Sequence, residues 1–245
     1  MTADALARSF ETIGDDYDRY RPGFPERSAE IILPDRVGSV LDLGAGTGKF
    51  TALLTSRARS VVAVEPSERM LAVLRARLPE VDARVGAAER IPVGDQSVDA
   101  VTVAQAFHWF ERDIACAEIA RTLRPGGVLG LLWNHADPAC EWDRACHRIV
   151  HPAVGESDAT TDAAVDELPG FVFERRAEVR WTERLSRSHY VRRWTTVSAF
   201  LVAAQAERAQ MLAAVDAVLD RSLETRGMTE FDLPLVTEVF VYRRA

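Results

Sequence analysis

Three glycines spaced by two, Gly44, Gly46 and Gly48, follow the short apolar run Val40-Leu41-Asp42-Leu43 and lead into a segment whose Phe50, Leu53 and Leu54 have helical spacing. A turn of this kind lets a ligand approach the backbone without Cβ atoms in the way, and it aims the free N–H groups of the new helix at that ligand. Its chemistry is the binding of a small molecule. Phosphate is disfavoured: the turn reads G-x-G-x-G where the dinucleotide fingerprint reads G-x-G-x-x-G, and no G-K-[ST] closes it as a phosphate loop. Glu65, 21 residues past Gly44 at the end of the next apolar run, is placed to accept hydrogen bonds from the hydroxyls of an unphosphorylated ribose. An exposed turn residue before Pro66 would look similar, but glycines, spacing and strand end together favour the binding role.

A second set of residues lies further on. In Ala104-Gln105-Ala106-Phe107-His108-Trp109-Phe110 a single histidine sits among aromatics at the end of an apolar strand. Carboxyl ends of parallel strands border the ligand crevice, so His108 and Trp109 are candidates for the acceptor side, His108 as a general base or an orienting hydrogen-bond partner. A packed or surface histidine is the plainer alternative. The turn Gly86-Ala87-Ala88-Glu89-Arg90-Ile91-Pro92 falls beside the same crevice. Cys140-x5-Cys146-His147-x3-His151 offers metal-ligating types, but structural zinc sites use closely spaced pairs such as C-x2-C. No metal is expected, and the segment reads as a helix with two half-buried thiols.

Positioning these residues takes a regular β/α alternation. Strands are expected at 40–43, 60–65, 81–85, 98–104 and 127–133, near-continuously apolar as buried parallel strands are. Ser67 caps a helix carrying Leu71, Leu74 and Leu78; Ala115, Ile119 and Leu123 mark another, turned back by Arg124-Pro125-Gly126-Gly127. Five such units make a doubly wound α/β sheet. Beyond Asn134 the pattern changes: 171–180 and 235–243 read as two further strands, with a helical segment at 198–223 between them and a polar linker at 155–166. Residues 1–34 form an N-terminal flap around Tyr17-Asp18-Arg19-Tyr20-Arg21-Pro22-Gly23-Phe24-Pro25, where two prolines forbid a continuous helix. The domain proper is 35–245, with 135–170 and 186–230 as substrate or lid insertions.

Composition narrows the function. A formal net charge of −7 makes a long polyanion an unfavoured partner. No apolar run reaches the eighteen residues of a membrane helix, and Asp4, Arg8 and Glu11 stand where a signal peptide needs an apolar core. A cytoplasmic location is expected. Three cysteines, Cys116, Cys140 and Cys146, cannot all pair and are expected free. The expected partner is a small-molecule acceptor, with no nucleic acid and no membrane, for a monomer or homodimer.

Taken together, D-L-G-A-G-T-G at 42–48, V-E-P-S-E-R-M at 64–70, A-E-R-I-P at 88–92, Q-A-F-H-W-F at 105–110 and L-R-P-G-G at 123–127 make the chain resemble the class I S-adenosylmethionine-dependent methyltransferases. The flap motif at 17–25 and L-W-N at 132–134 are similar to the small-molecule subgroup around trans-aconitate methyltransferase. The resemblance implies a Rossmann-like seven-stranded sheet of order 3-2-1-4-5-7-6 with the last strand antiparallel and a helical lid insertion. It implies S-adenosylmethionine as cofactor. Gly44, Ala45 and Gly46 would lie against its methionine part, Glu65 on the ribose, and Ala88 and Glu89 beside the adenine, with Met70 near the base. Tyr17, Tyr20 and Arg21 match the family's flap, with Arg21 placed to pair with the methionine carboxylate. Asp42, Thr47, Pro66 and Gln105 complete the implied cofactor-binding set. The expected reaction is methyl transfer to an oxygen or nitrogen of a small molecule. RNA methylation, a non-catalytic cofactor-binding role and, more distantly, a dehydrogenase are the alternatives.

Overall fold

The computed structural model describes residues 19–150 and 167–245. Tyr17, His151 and the expected linker at 155–166 lie outside them. Seven strands form one mixed sheet of order β3-β2-β1-β4-β5-β7-β6 with the last strand antiparallel. They are β1 Val37–Leu43, β2 Ala58–Glu65, β3 Asp82–Val85, β4 Val98–Ala104, β5 Leu123–Ala136, β6 Phe171–Ser186 and β7 Glu230–Arg244. β1 pairs in parallel with β2 and β4, β2 with β3, and β4 with β5. The strand order and the antiparallel last strand agree with the expectation.

By contact the chain divides into two units. Among the described residues the sheet unit comprises Gly23–Asn134, 167–179 and Thr237–Ala245. Its strands alternate between two cores because successive side chains of a strand point to opposite faces. Leu41, Leu43, Val101, Val103, Leu129, Leu131 and Trp133 face one core, covered by α4 (Arg112–Thr122) through Ala115, Cys116 and Ile119. Val40, Ala63, Ala100, Leu132 and Val239 face the other, covered by α1 (Glu26–Ile32), α2 (Thr51–Leu54) and α3 (Glu68–Arg77) through Ile32, Leu54, Leu71 and Leu74. Burying each such Leu, Ile or Val contributes about 1.5–3 kcal/mol. Ser67 caps α3 as the sequence indicates, its Oγ accepting from Met70 N at 3.3 Å.

Several expected boundaries move. The turn at 124–127 lies inside β5 as a bulge: Leu123 pairs with Val98 and Val128 with Ala100, while Gly126 takes φ +70°. Pro125 has no N–H for the ladder, so the intervening residues loop out and pairing resumes beyond them. β6 continues six residues past 180, and β7 begins five before 235.

The second unit comprises, among the described residues, 19–22, 135–150 and 180–236. α5 (Glu141–Val150), α6 (Arg187–Arg193), α7 (Ser198–Val202) and α8 (Gln205–Arg221) enclose Trp142, Cys146, Tyr190, Trp194, Val215, Leu219 and Phe231. The single helix expected over 198–223 is broken at Ala203 and Ala204, both extended, where the Ala204 N–H donates to Glu207 Oε2 at 2.8 Å and starts α8 afresh. Tyr190 O–H donates to the buried Asp143, and the Arg193 guanidinium stacks over Tyr190 and Trp194.

Candidate functional site

The glycine turn closes β1. Gly44, Gly46 and Gly48 have φ of +69°, +56° and +84°, in the left-handed region that a Cβ disfavours. Gly44 N and Ala45 N both donate to Val64 O of β2, at 2.8 and 3.1 Å, so the turn folds back over the neighbouring strand. Glu65, at the end of that strand, reaches into it. One carboxylate oxygen accepts from Gly46 N and the other from Ser67 N, each at 3.0 Å. A carboxylate has about four lone-pair sites, so two backbone bonds fix its direction and leave acceptor capacity for a diol. Burial raises the Glu65 pKa, and the two N–H bonds oppose that rise. Met70 lies alongside: a Cβ on Gly46 would stand 3.9 Å from its sulfur.

Beneath the turn, Asp42 is buried and spoken for. Thr51 Oγ1 donates to its Oδ2 at 2.6 Å and Thr102 Oγ1 to its Oδ1 at 2.8 Å. Burial pushes its pKa up to about 6, with a smaller push from the nearby Glu65 charge. Asp42, one of the residues the resemblance implies for the cofactor, braces the end of β1 to α2 and β4 through these two bonds. The threonines were missed, because nothing in their spacing singles out a buried hydroxyl.

On the turn that follows β3, Gly86 N donates to Glu65 O at 3.3 Å. Ala88 is buried in the core of the sheet unit. Glu89 points its Oε1 at the Glu111 N–H, 2.9 Å away. At the end of β4, Gln105 adopts φ +57°, its N bonded to Leu132 O at 2.9 Å and its Nε2 to Asn134 O at 3.1 Å. His108 and Trp109 follow in a 3-10 turn, Phe107–Trp109. Trp133 Nε1 donates to His108 Nδ1 at 3.4 Å. A neutral imidazole that accepts on Nδ1 carries its proton on Nε2.

The methyltransferase domain family matches residues 41–131, the span holding every group just described from Asp42 to His108. An uncharacterised methyltransferase of Mycobacterium tuberculosis is 44% identical over 181 residues, covering 74% of this chain and 73% of the relative. A second, from Schizosaccharomyces pombe, is 36% identical over 173 residues and 69% of each chain. The chain belongs to the class I methyltransferases. The solved structure of a proposed type II methyltransferase from Anaeromyxobacter dehalogenans superposes on the methyltransferase fold with a TM-score of 0.69 at 26% identity, covering 92% of this chain and 97% of that one.

In this methyltransferase the structure brings Gly44, Ala45, Gly46, Glu65, Met70 and the 86–89 turn together. Thr47 is buried and Pro66 exposed beside them. Other candidates lie in the helical unit. The Tyr20 hydroxyl oxygen accepts from Arg192 Nη1 at 2.9 Å, and its ring meets His189 edge-on. Arg21 Nη2 donates to Thr196 O at 3.2 Å. Trp133 and Trp194 are fully buried, each in the core of its own unit, while Trp109 is 41% exposed. Cys116, Cys140 and Cys146 are free and buried. Burial pushes the Cys140 and Cys146 thiols up to about 11 and about 12, which keeps them protonated at neutral pH. A cavity of about 640 Å³ between α5 and α8 involves none of the candidate residues.

Proposed function

We propose that the protein is a cytoplasmic enzyme that transfers a methyl group from S-adenosylmethionine to an oxygen or nitrogen of a small molecule. The observation that carries this reading is Glu65, held by the N–H groups of Gly46 and Ser67 with lone pairs to spare for a ribose diol. The left-handed glycines and the Met70 sulfur beside Gly46 fit a nucleoside thioether, and Lys49 stands where the dinucleotide fingerprint has its last glycine. When bound, the cofactor supplies a methyl group already activated by a sulfonium. What this chain then contributes is approximation, orientation and exclusion of water. Glu65 fixes the ribose, the glycine turn fixes the methionine arm, and His108 orients the acceptor as an Nε2–H donor. A net charge of −7 supports a small acceptor over a nucleic acid. Calorimetry tests the reading: S-adenosylhomocysteine is expected to bind with micromolar affinity and NAD not to bind, and comparable binding of NAD overturns it.

A further inference from the structure

The segment 105–111 touches the cofactor cradle at both ends. A Cβ on Gly44 would stand 2.6 Å from Ala106 Cβ and 3.4 Å from Phe110 Cζ, so the glycine turn rests directly on this segment. At the other end Glu89, on the turn that follows β3, accepts the Glu111 N–H at 2.9 Å. Glu111 is the N-cap of α4, where a carboxylate also meets the positive end of the helix. The same turn is fastened along α4: Glu118 Oε2 accepts from Ile91 N at 2.9 Å, and Arg121 donates to Ile91 O at 3.0 Å and Val93 O at 2.8 Å. Turn and helix therefore move as one body. The segment between them and β4 starts at Gln105, a non-glycine residue in the left-handed region, a conformation that persists only where surrounding contacts impose it.

Two cofactor-binding turns thus bear on one strained segment, and that segment carries His108 and Trp109. We propose that Glu89 is a positioning residue: through its bond to Glu111 it transmits occupancy of the cofactor site to the 105–110 segment and so sets the acceptor side after the cofactor has bound. The proposal rests on the S-adenosylmethionine reading above. It gives Glu89 a task other than touching the adenine, and it requires an acceptor atom at that position rather than a charge alone.

Trp109 reports the coupling. It is one of five tryptophans, so its emission is isolated by subtracting the Trp109→Phe protein. At saturating S-adenosylhomocysteine, with binding verified by calorimetry for each variant, the wild-type Trp109 emission is expected to shift. In Glu89→Ala the shift is expected to fall to under about a third, and in Glu89→Gln, whose amide oxygen still accepts, to recover most of its size. A full shift in Glu89→Ala, no shift in a wild type that binds, or equal loss in Ala and Gln overturns the relay and leaves the cofactor reading standing. A wild type that binds no S-adenosylhomocysteine overturns both.

Discussion

On the S-adenosylmethionine reading, cofactor affinity is expected to turn on Glu65, whose carboxylate is buried and oriented by two backbone N–H groups. Glu65→Ala is expected to cost about 1.5–3 kcal/mol of S-adenosylhomocysteine affinity, the range for hydrogen bonds to a charged group; an unchanged dissociation constant in calorimetry would show the residue to be a bystander. Asp42 bears on the stability of the fold. Its pKa is raised to about 6 from an unfolded value near 3.8, so between those values the folded state holds more protons than the unfolded one. Its contribution is full below about pH 4 and is lost as pH rises through about 6, on the order of 3 kcal/mol at 1.36 kcal/mol per unit. Urea unfolding at pH 4, 5, 6 and 7 should show that decline in wild type relative to Asp42→Asn, and parallel curves would refute it. For His108, the bond from Trp133 favours an orienting donor over a base. His108→Ala is therefore expected to lower turnover about 3- to 10-fold, the worth of one neutral hydrogen bond, whereas a base would cost about 10²–10⁴.

At the scale of elements, the glycine turn is the piece whose shape tolerates least. Gly48 has φ +84°, and a Cβ there would lie 2.8 Å from Leu74 Cγ of α3, which is buried and cannot withdraw. Gly48→Ala is expected to destabilise by about 2–4 kcal/mol, the left-handed penalty plus overpacking, measured as a lower urea midpoint at unchanged slope. This turn, Glu65 and the first four strands were legible in the sequence because each is local: glycine spacing, an apolar run and a strand-end carboxylate need no knowledge of distant partners. What was not legible depends on contacts across the sheet. Asp42 meets Thr102 over 60 residues, Trp133 meets His108 over 25, and the Glu89–Glu111 bond joins two loops whose sequences say nothing of each other. The late strands were found but cut short, since the charged residues of β6 hide its pattern. Those charges make cross-strand pairs with β7, Glu174 with Arg243 and Arg176 with Glu238, and they blunt a long sheet edge that would otherwise invite pairing with another chain.

For the molecule as a whole, ligand binding should appear as added stability. S-adenosylhomocysteine at about 100 times its dissociation constant contributes about 2.7 kcal/mol, which for a chain of this size raises the melting temperature by roughly 5–10 °C. NAD at the same concentration is expected to leave it unchanged, and an equal shift would mean that the cradle does not discriminate. Among the described residues no helix is long and apolar enough to cross a membrane. The three buried thiols carry a consequence of a different kind. Cys116 lies in the core of the sheet unit, and Cys140 and Cys146 lie in the core of the helical unit. A thiol-alkylating reagent reaches each only when its surroundings open, so the rate of modification at each site, read by mass spectrometry of peptides, clocks the opening of the two units separately without any engineered probe.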